Sequence, residues 1–198
     1  MSKLDFWYEF GSMYSYLAAM RVEKLAGEAG VAVAWRPFLL GPIFKSQGWN
    51  TSPFNLYPAK GSYMLLDLAR QCEDMGLPAF TMPKPFPANS LLAARVALAL
   101  SDPERPEFSR AVYLAAFAEG KDIGNRDVIA EILKKLGHDA ETMLAKAGEQ
   151  AVKDRLRANT EEAMKISIFG APTFTTEDDD LFWGNDRLEQ ALSWAKRG

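Results

Sequence analysis

Ser12 is the first residue of this chain whose type and surroundings could do chemistry. An aromatic-rich run at 4–10 leads to Gly11 and Ser12, and beyond them apolar residues recur at helical spacing. The run predicts a buried strand, Gly11 permits a sharp turn, and Ser12 is expected to begin a helix. The first turn of a helix leaves backbone N–H groups unpaired, so an anion is stabilised beside that serine. Serine is also a common N-cap residue, and the spacing alone favours this purely structural role.

The composition argues against several classes of protein. The chain has 198 residues, of which 48% are hydrophobic and 25% charged, and its net charge of −3 with no basic stripe argues against a nucleic-acid partner. No run approaches the roughly 18 apolar residues of a membrane span. The lone cysteine, Cys72, excludes an internal disulfide, a Cys-x-x-Cys redox pair and a cysteine-rich metal site. The amino terminus lacks a signal-peptide core, so we expect a cytoplasmic protein. No metal site is predicted.

The order of predicted elements indicates an α/β fold. After the first helix, residues 31–40 predict a second strand that stops near Pro37, which completes a βαβ unit with parallel strands. Residues 41–61 are predicted to form a long irregular connection. Helices are then predicted near 62–75, 89–100, 106–119, 126–136, 140–147 and 149–168. Residues 169–176 and 181–184 predict a hairpin around an acidic turn, and 186–196 predict a closing helix.

This order predicts a thioredoxin-like core, βαβ followed by ββα, that carries a large all-helical insertion. We expect residues 1–44 and 168–198 to form the core and residues 45–167 to form the insertion. The two parts of the core must meet in one sheet, because neither the βαβ unit nor the hairpin buries enough surface alone.

Three segments of the chain carry a family resemblance. They are SMYSYLA at 12–18, FGAPTF at 169–174 and FWGNDRL at 182–188, and they are supported by 35–41, Lys45, Lys60, Tyr63, Asp67, Arg70, 89–90 and Arg95. With these residues the chain resembles the 2-hydroxychromene-2-carboxylate isomerases and, more broadly, the kappa-class glutathione transferases, which share the DsbA-type thioredoxin fold. It departs at Met13, where the family usually has a proline that preorganises the start of the helix.

The resemblance implies a glutathione cofactor and a set of residues that binds it. Ser12 would direct its hydroxyl at the glutathione sulfur and act as the catalytic residue. Pro172 would be the cis-proline of the fold, with the backbone of Ala171 pairing with the cysteinyl part of glutathione. The γ-glutamyl end would be held by the turn before the last helix, at Trp183, Gly184, Asn185 and Asp186.

The reaction implied is the isomerisation of a cyclic chromene carboxylate to an open-chain benzylidenepyruvate by reversible thiolate addition. The substrate is an aromatic anion, for which Lys45 and Lys60 are the predicted carboxylate partners. Phe38, Tyr63 and Asn89 are predicted walls or hydrogen-bond partners, and the relatives suggest a homodimer. Two alternatives stay open: a kappa-like transferase or peroxidase that consumes glutathione, and a non-catalytic thioredoxin-fold protein that binds peptides in the cis-proline groove.

Each of these residues also has a plain structural interpretation. Asp186 fits a capping box with Glu189, and Asn89 fits the N-cap of its helix. A loop lysine such as Lys45 is usually a solvated charge. Cys72 lies on a helical pattern and is expected to be buried packing, while the acidic run 177–180 is expected to be a solvated hairpin turn.

Overall fold

A four-stranded mixed sheet lies at the centre of the computed structural model, which describes residues 2–49 and 53–197. The strands are β1 (Lys3–Tyr8), β2 (Ala32–Pro37), β3 (Thr173–Thr176) and β4 (Leu181–Trp183), in the spatial order β2-β1-β3-β4. β1 pairs in parallel with β2 and antiparallel with β3, and β3 pairs antiparallel with β4. The predicted βαβ unit and hairpin therefore meet in one sheet, as a thioredoxin-like core requires.

Helices surround the sheet and fill the chain between β2 and β3. They are α1 (Met13–Ala29), α2 (Leu40–Ser46), α3 (Pro53–Leu56), α4 (Pro58–Asp74), α5 (Leu91–Ala99), α6 (Arg105–Phe117), α7 (Arg126–Lys135), α8 (Ala140–Ala147), α9 (Gln150–Lys165) and α10 (Leu188–Ala195), with a 3-10 turn at Asn185–Arg187. No helix in the described part of the chain is long and apolar enough to cross a membrane.

The connection after β2 is more helical than the sequence predicts. The prediction of an irregular segment over 41–61 is wrong for α2, α3 and the first turn of α4; residues 50–52 of that segment lie outside the described residues. Pro58 occupies the first turn of α4, where its missing N–H costs no hydrogen bond and its fixed φ suits a helix. Pro58 therefore marks the start of a helix within the segment that was predicted to be irregular.

An aromatic cluster joins the sheet to the inserted helices. Phe6, Tyr8 and Phe10 are at most 1% exposed, and Phe10 and Tyr8 pack against Tyr113 of α6, with ring centroids 5.2 Å and 6.3 Å from that of Tyr113. The Tyr113 hydroxyl also donates to the Glu9 carbonyl oxygen at 3.0 Å. One hydrophobic core thus spans both parts of the chain and holds the end of β1 in place.

The opposite face of the sheet has a smaller core. Because side chains alternate along a strand, Trp7 points away from Phe6 and Tyr8, and its ring meets Phe38 edge-on with centroids 6.2 Å apart. Ala163 of α9 and Ile168 cover this pair. Phe38 is completely buried there.

Two predictions about single features are confirmed. Cys72 is 1% exposed and belongs to the main core, and its burial raises the pKa of the thiol. The acidic residues 177–180 are exposed in the turn between β3 and β4.

Candidate active site

Ser12 lies at the N-terminus of α1, and its hydroxyl makes two hydrogen bonds. Its backbone is extended, with φ −86° and ψ 115°, and its hydroxyl oxygen accepts from the Ser15 amide at 3.2 Å, so it is the N-cap of the helix as predicted. The same hydroxyl donates to the Ala171 carbonyl oxygen at 2.8 Å. Ser12 therefore also links α1 to the segment before β3, which lies 159 residues further along the chain.

The segment before β3 supplies a second stretch of backbone to the site. The Ala171–Pro172 peptide bond is cis, as predicted, and the Pro172 carbonyl oxygen accepts from the Gly184 amide at 2.9 Å. Gly170 lies so close to Trp183 that an added Cβ would sit 2.4 Å from the indole Nε1. Glycine at this position is what lets the two segments touch.

Asn185 is buried at the start of the closing turn and is held on both sides. The Arg21 guanidinium donates from Nε to Asn185 Oδ1 at 3.1 Å and from a terminal nitrogen to the Asn185 carbonyl oxygen at 2.8 Å. Asn185 Nδ2 in turn donates to Gln71 Oε1 at 3.1 Å. Asn185 is 6% exposed, so these partners satisfy a polar group that burial would otherwise penalise.

Asp186 does not cap the closing helix, so the capping-box prediction is wrong. Residues Asn185–Arg187 form a 3-10 turn, α10 begins at Leu188, and Glu189 pairs with Arg21 at 2.7 Å instead of reaching back to the turn. The Asp186 side chain is 75% exposed and lies 3.8 Å from Arg187. Its carboxylate therefore faces the solvent beside the cavity.

A hydrogen-bonded group on α1 and α4 forms one wall of the site. The Tyr14 hydroxyl donates to Asp67 Oδ2 at 2.7 Å, and Gln71 Nε2 donates to the same oxygen at 2.8 Å. Partial burial and the Asp67 carboxylate raise the pKa of Tyr14, so its phenol stays protonated and donates. Tyr14 and Gln71 are functional candidates that the sequence did not predict; the i, i+4 spacing of Asp67 and Gln71, which places both on one helix face, was the available signal.

Glu9 lies on the floor of the site and was also missed. The residue is 8% exposed; its Oε2 accepts from the Gly11 amide at 2.8 Å, and its other carboxyl oxygen contacts the Ser90 hydroxyl. Burial raises the pKa of Glu9 to about 7, against the opposing effect of these two hydrogen bonds. The available signal was Glu9 as the one carboxylate among the aromatic residues at 6–10.

These groups surround a cavity of about 1490 Å³. Most of the predicted site residues line it, namely Ser12, Lys60, Tyr63, Asn89, Ala171, Pro172, Trp183, Gly184, Asn185 and Asp186. The remaining wall includes a group of aromatic residues, namely Trp49, Phe54, Tyr57, Phe86 and Phe169. Polar groups are thus concentrated at the α1 end and the closing turn, with an apolar chamber beside them.

Two predicted substrate residues do not line the cavity. Phe38 packs against Trp7 in the smaller core, on the opposite face of the sheet, and is completely buried there. It therefore cannot form a wall of the cavity. Lys45 is exposed in the last turn of α2, while Leu40, Pro42 and Phe44 of that helix face the cavity. Lys60 is the predicted lysine that the structure brings to the site.

Asn89 lines the cavity, but it is not the N-cap of α5, so that prediction is wrong. Its side-chain oxygen accepts from the Leu91 amide at 3.1 Å, which pairs a free N–H at the start of α5. Ser90 occupies the N-cap position itself without a side-chain cap, since its hydroxyl is turned to Glu9. Asn89 therefore supports the helix start from one residue further out while it lines the cavity.

Comparison with known proteins agrees with this geometry. The chain is 28% identical over 190 residues to a 2-hydroxychromene-2-carboxylate isomerase of Pseudomonas putida, covering 93% of this chain and 90% of that protein. It is 29% identical to human glutathione S-transferase kappa 1, covering 94% and 87%. A solved structure of a 2-hydroxychromene-2-carboxylate isomerase superposes with a TM-score of 0.88 at 26% identity, covering 98% and 95%. Since residues 3–194 match the family model of the DSBA-like thioredoxin domain, the chain belongs to that family.

Proposed function

We propose that this protein is a glutathione-dependent isomerase of 2-hydroxychromene-2-carboxylate or a related aromatic carboxylate. The observation that carries the proposal is the Ser12 hydroxyl, which sits at the N-terminus of α1 and 2.8 Å from the Ala171 carbonyl oxygen on the cavity wall. Curated isomerases and kappa-class transferases that align over more than nine-tenths of the chain support glutathione as the cofactor.

Ser12 is suited to hold the glutathione sulfur as a thiolate. Lowering a thiol pKa from about 8.5 by two units requires about 2.7 kcal/mol. A hydrogen bond to a charged acceptor contributes about 1.5–3 kcal/mol, against about 0.5–1.5 for the neutral carbonyl bond that Ser12 gives up. A partly buried helix N-terminus adds up to about 2 kcal/mol. After the lost carbonyl bond is subtracted, the hydrogen bond supplies up to about 2.5 kcal/mol, and with the helix N-terminus the sum reaches the requirement at the upper end of these ranges, without a histidine base.

The rest of glutathione fits along the polar side of the cavity. Ala171 offers backbone groups to the cysteinyl unit, next to Ser12. The Asp186 carboxylate is exposed and can accept from the α-ammonium of the γ-glutamyl end, while the buried Asn185 is fixed by Arg21 and Gln71. Trp183 and Gly184 complete this turn.

The aromatic chamber suits a flat anionic substrate. Lys60 supplies a positive charge for a carboxylate, and Tyr63 and Asn89 lie on the same lining. Ser12 would hold the glutathione sulfur as a thiolate, which would supply a nucleophile for reversible addition to the conjugated carbon, so that the former double bond could rotate before elimination. Glutathione is regenerated in this cycle, so no redox partner is needed.

The test is to add 2-hydroxychromene-2-carboxylate and glutathione to the purified protein and to follow product and total glutathione together. We expect many turnovers with glutathione unchanged, and a rate in Ser12→Ala lower by about 10- to 100-fold, the equivalent of one hydrogen bond to a charged sulfur. Ser193→Ala, an exposed serine of α10, is the matched control and should match the wild type. A rate that needs no glutathione, or that Ser12→Ala leaves intact, would rule out the mechanism.

A kappa-like transferase is the second candidate, because human glutathione S-transferase kappa 1 is as similar to the chain as the isomerase is. The same experiment separates the two, since a transferase or peroxidase consumes glutathione in proportion to product. A binding protein without catalysis would show no rate at all. The cytoplasmic location and the homodimer stay predictions from the sequence.

A further inference from the structure

Glu9 is the buried acid of the cavity, and the proposed mechanism so far gives it no role. It follows β1 directly, is 8% exposed and lines the cavity beside Gly11 and Ser12. Its Oε2 accepts from the Gly11 amide at 2.8 Å, its other oxygen meets the Ser90 hydroxyl, and its carbonyl oxygen accepts from the Ser12 amide at 3.0 Å. The carboxyl is therefore fixed within the turn that presents Ser12.

The surroundings of Glu9 do not neutralise its charge. Within residues 2–49 and 53–197, no lysine, arginine or histidine forms an ion pair with it. The titratable group that faces it from α6 is Tyr113, whose pKa burial raises well above the ordinary value, so it stays neutral. From α4, Lys60 and Asp67 line the same cavity. An ionised Glu9 would thus place an unpaired negative charge in the site that is to hold a thiolate.

We propose that Glu9 takes up a proton when glutathione binds as a thiolate, so that the net charge of the site stays constant. The inference rests on the proposed function. The S–H bond of glutathione breaks, an O–H bond forms at the Glu9 carboxyl, and no other group changes its charge. The cause is repulsion between two like charges in one water-poor cavity. It raises the proton affinity of Glu9, because the pKa of Glu9, about 7, lies above the value expected for the bound thiol.

The acidity of Glu9 makes this exchange measurable near neutral pH. Burial raises the pKa of Glu9 to about 7, so at about pH 7.5 the free protein has Glu9 mostly ionised, while the thiol of free glutathione is mostly protonated. On binding, the sulfur therefore loses most of one proton, and Glu9 gains most of one proton. The wild type is expected to release roughly 0.2 protons per glutathione bound, and Glu9→Gln roughly 0.8.

Calorimetry of glutathione binding at this pH, in two buffers with different ionisation enthalpies, gives the number of protons released. The ultraviolet thiolate absorbance of the same samples shows whether the bound sulfur is ionised. Glu9→Gln is nearly isosteric and keeps an acceptor for the Gly11 amide. Glu177→Gln, an exposed glutamate in the hairpin turn, is the matched control and should release as few protons as the wild type.

Ser90→Ala provides a second variant that keeps Glu9 itself. The Ser90 hydrogen bond lowers the pKa of Glu9, so its loss leaves Glu9 more protonated in the free protein and proton release should lie between those of the wild type and Glu9→Gln. Equal proton release in all variants, with thiolate absorbance present, would overturn the role of Glu9 and leave the proposed function standing. Bound glutathione without thiolate absorbance in the wild type would overturn both.

Discussion

The Arg21 guanidinium holds Asn185 by its side chain and its backbone at once. Nε donates to Oδ1 at 3.1 Å, a terminal nitrogen donates to the carbonyl oxygen at 2.8 Å, and Glu189 accepts two further bonds of 2.7 Å from the same guanidinium. The α1 helix that carries Ser12 therefore also fixes the turn proposed to bind the γ-glutamyl end. The sulfur and the γ-glutamyl end of a bound glutathione would both be positioned by α1.

Replacing Arg21 by alanine should weaken glutathione binding without changing the bound thiol. The turn loses two donors at Asn185, so we expect the dissociation constant to rise about tenfold, which corresponds to about 1.4 kcal/mol. The thiol pKa in the complex should stay unchanged, because Ser12 and the helix terminus are intact. Arg21→Lys should recover only part of the affinity, since an ammonium lacks the fork geometry. Arg157→Ala, on the exposed side of α9, is the control. A changed pKa of the bound thiol in Arg21→Ala would show that Arg21 also acts on the sulfur, contrary to this prediction.

Replacing Gly184 by alanine should damage the same turn through the backbone. Gly184 has a φ of 111°, which side-chain-bearing residues rarely adopt, and an added Cβ would lie 2.5 Å from Asp186 Oδ1. We expect a loss of about 1–3 kcal/mol in the free energy of unfolding, and weaker glutathione binding because the Asp186 carboxylate is displaced. Gly27→Ala in α1, where an added Cβ meets nothing within 4 Å, should be neutral or stabilising. Denaturant unfolding and glutathione titration of both variants provide the check.

Local signals were enough to predict the elements that carry the site. Ser12 as the cap of α1 and the runs that form β1 and β3 follow from short segments whose residue types restrict the backbone. The joining of the two parts in one sheet follows from the need of each part to bury its apolar surface. The family resemblance added the cis bond at Pro172 and the closing turn at 183–186.

Contacts between distant segments could not be predicted in this way. Glu9 meets Ser90 across 81 residues, and Asn185 meets Gln71 across 114, so no local pattern pairs them. Phe38 was misassigned for the same reason, since the face of the sheet that carries the cavity is decided by how the inserted helices pack. The type of a residue and its closeness in sequence to a site motif do not tell on which face of the sheet its side chain lies, because the fold decides this.

Replacing Met13 by proline, the residue usual in the family, should leave the site working. Ser12 already has φ −86° and ψ 115°, the extended conformation that a following proline requires. Met13 is 2% exposed, so its side chain is lost from the core, and the expected net cost is about 1 kcal/mol of unfolding free energy after the gain from a stiffer chain. The thiolate absorbance of bound glutathione should match that of the wild type. Loss of glutathione binding in a folded Met13→Pro protein would show that methionine itself shapes the site.

The raised pKa of Glu9 should make the protein less stable as the pH rises. Its pKa moves from an ordinary 4.5 to about 7 because burial disfavours the carboxylate, so between these values the folded state holds a proton that the unfolded state has lost. Stability from this group is complete below about pH 4.5 and is lost as the pH passes through about 7, by about 3 kcal/mol in total. Glu9→Gln cannot ionise, so its unfolding free energy relative to the wild type should rise by about 2.5 kcal/mol between about pH 5 and pH 8. Urea unfolding of both proteins at the two pH values measures the difference, with Glu177→Gln as the control that should stay parallel to the wild type; a pH-independent difference for Glu9→Gln would mean that Glu9 ionises freely in the folded protein.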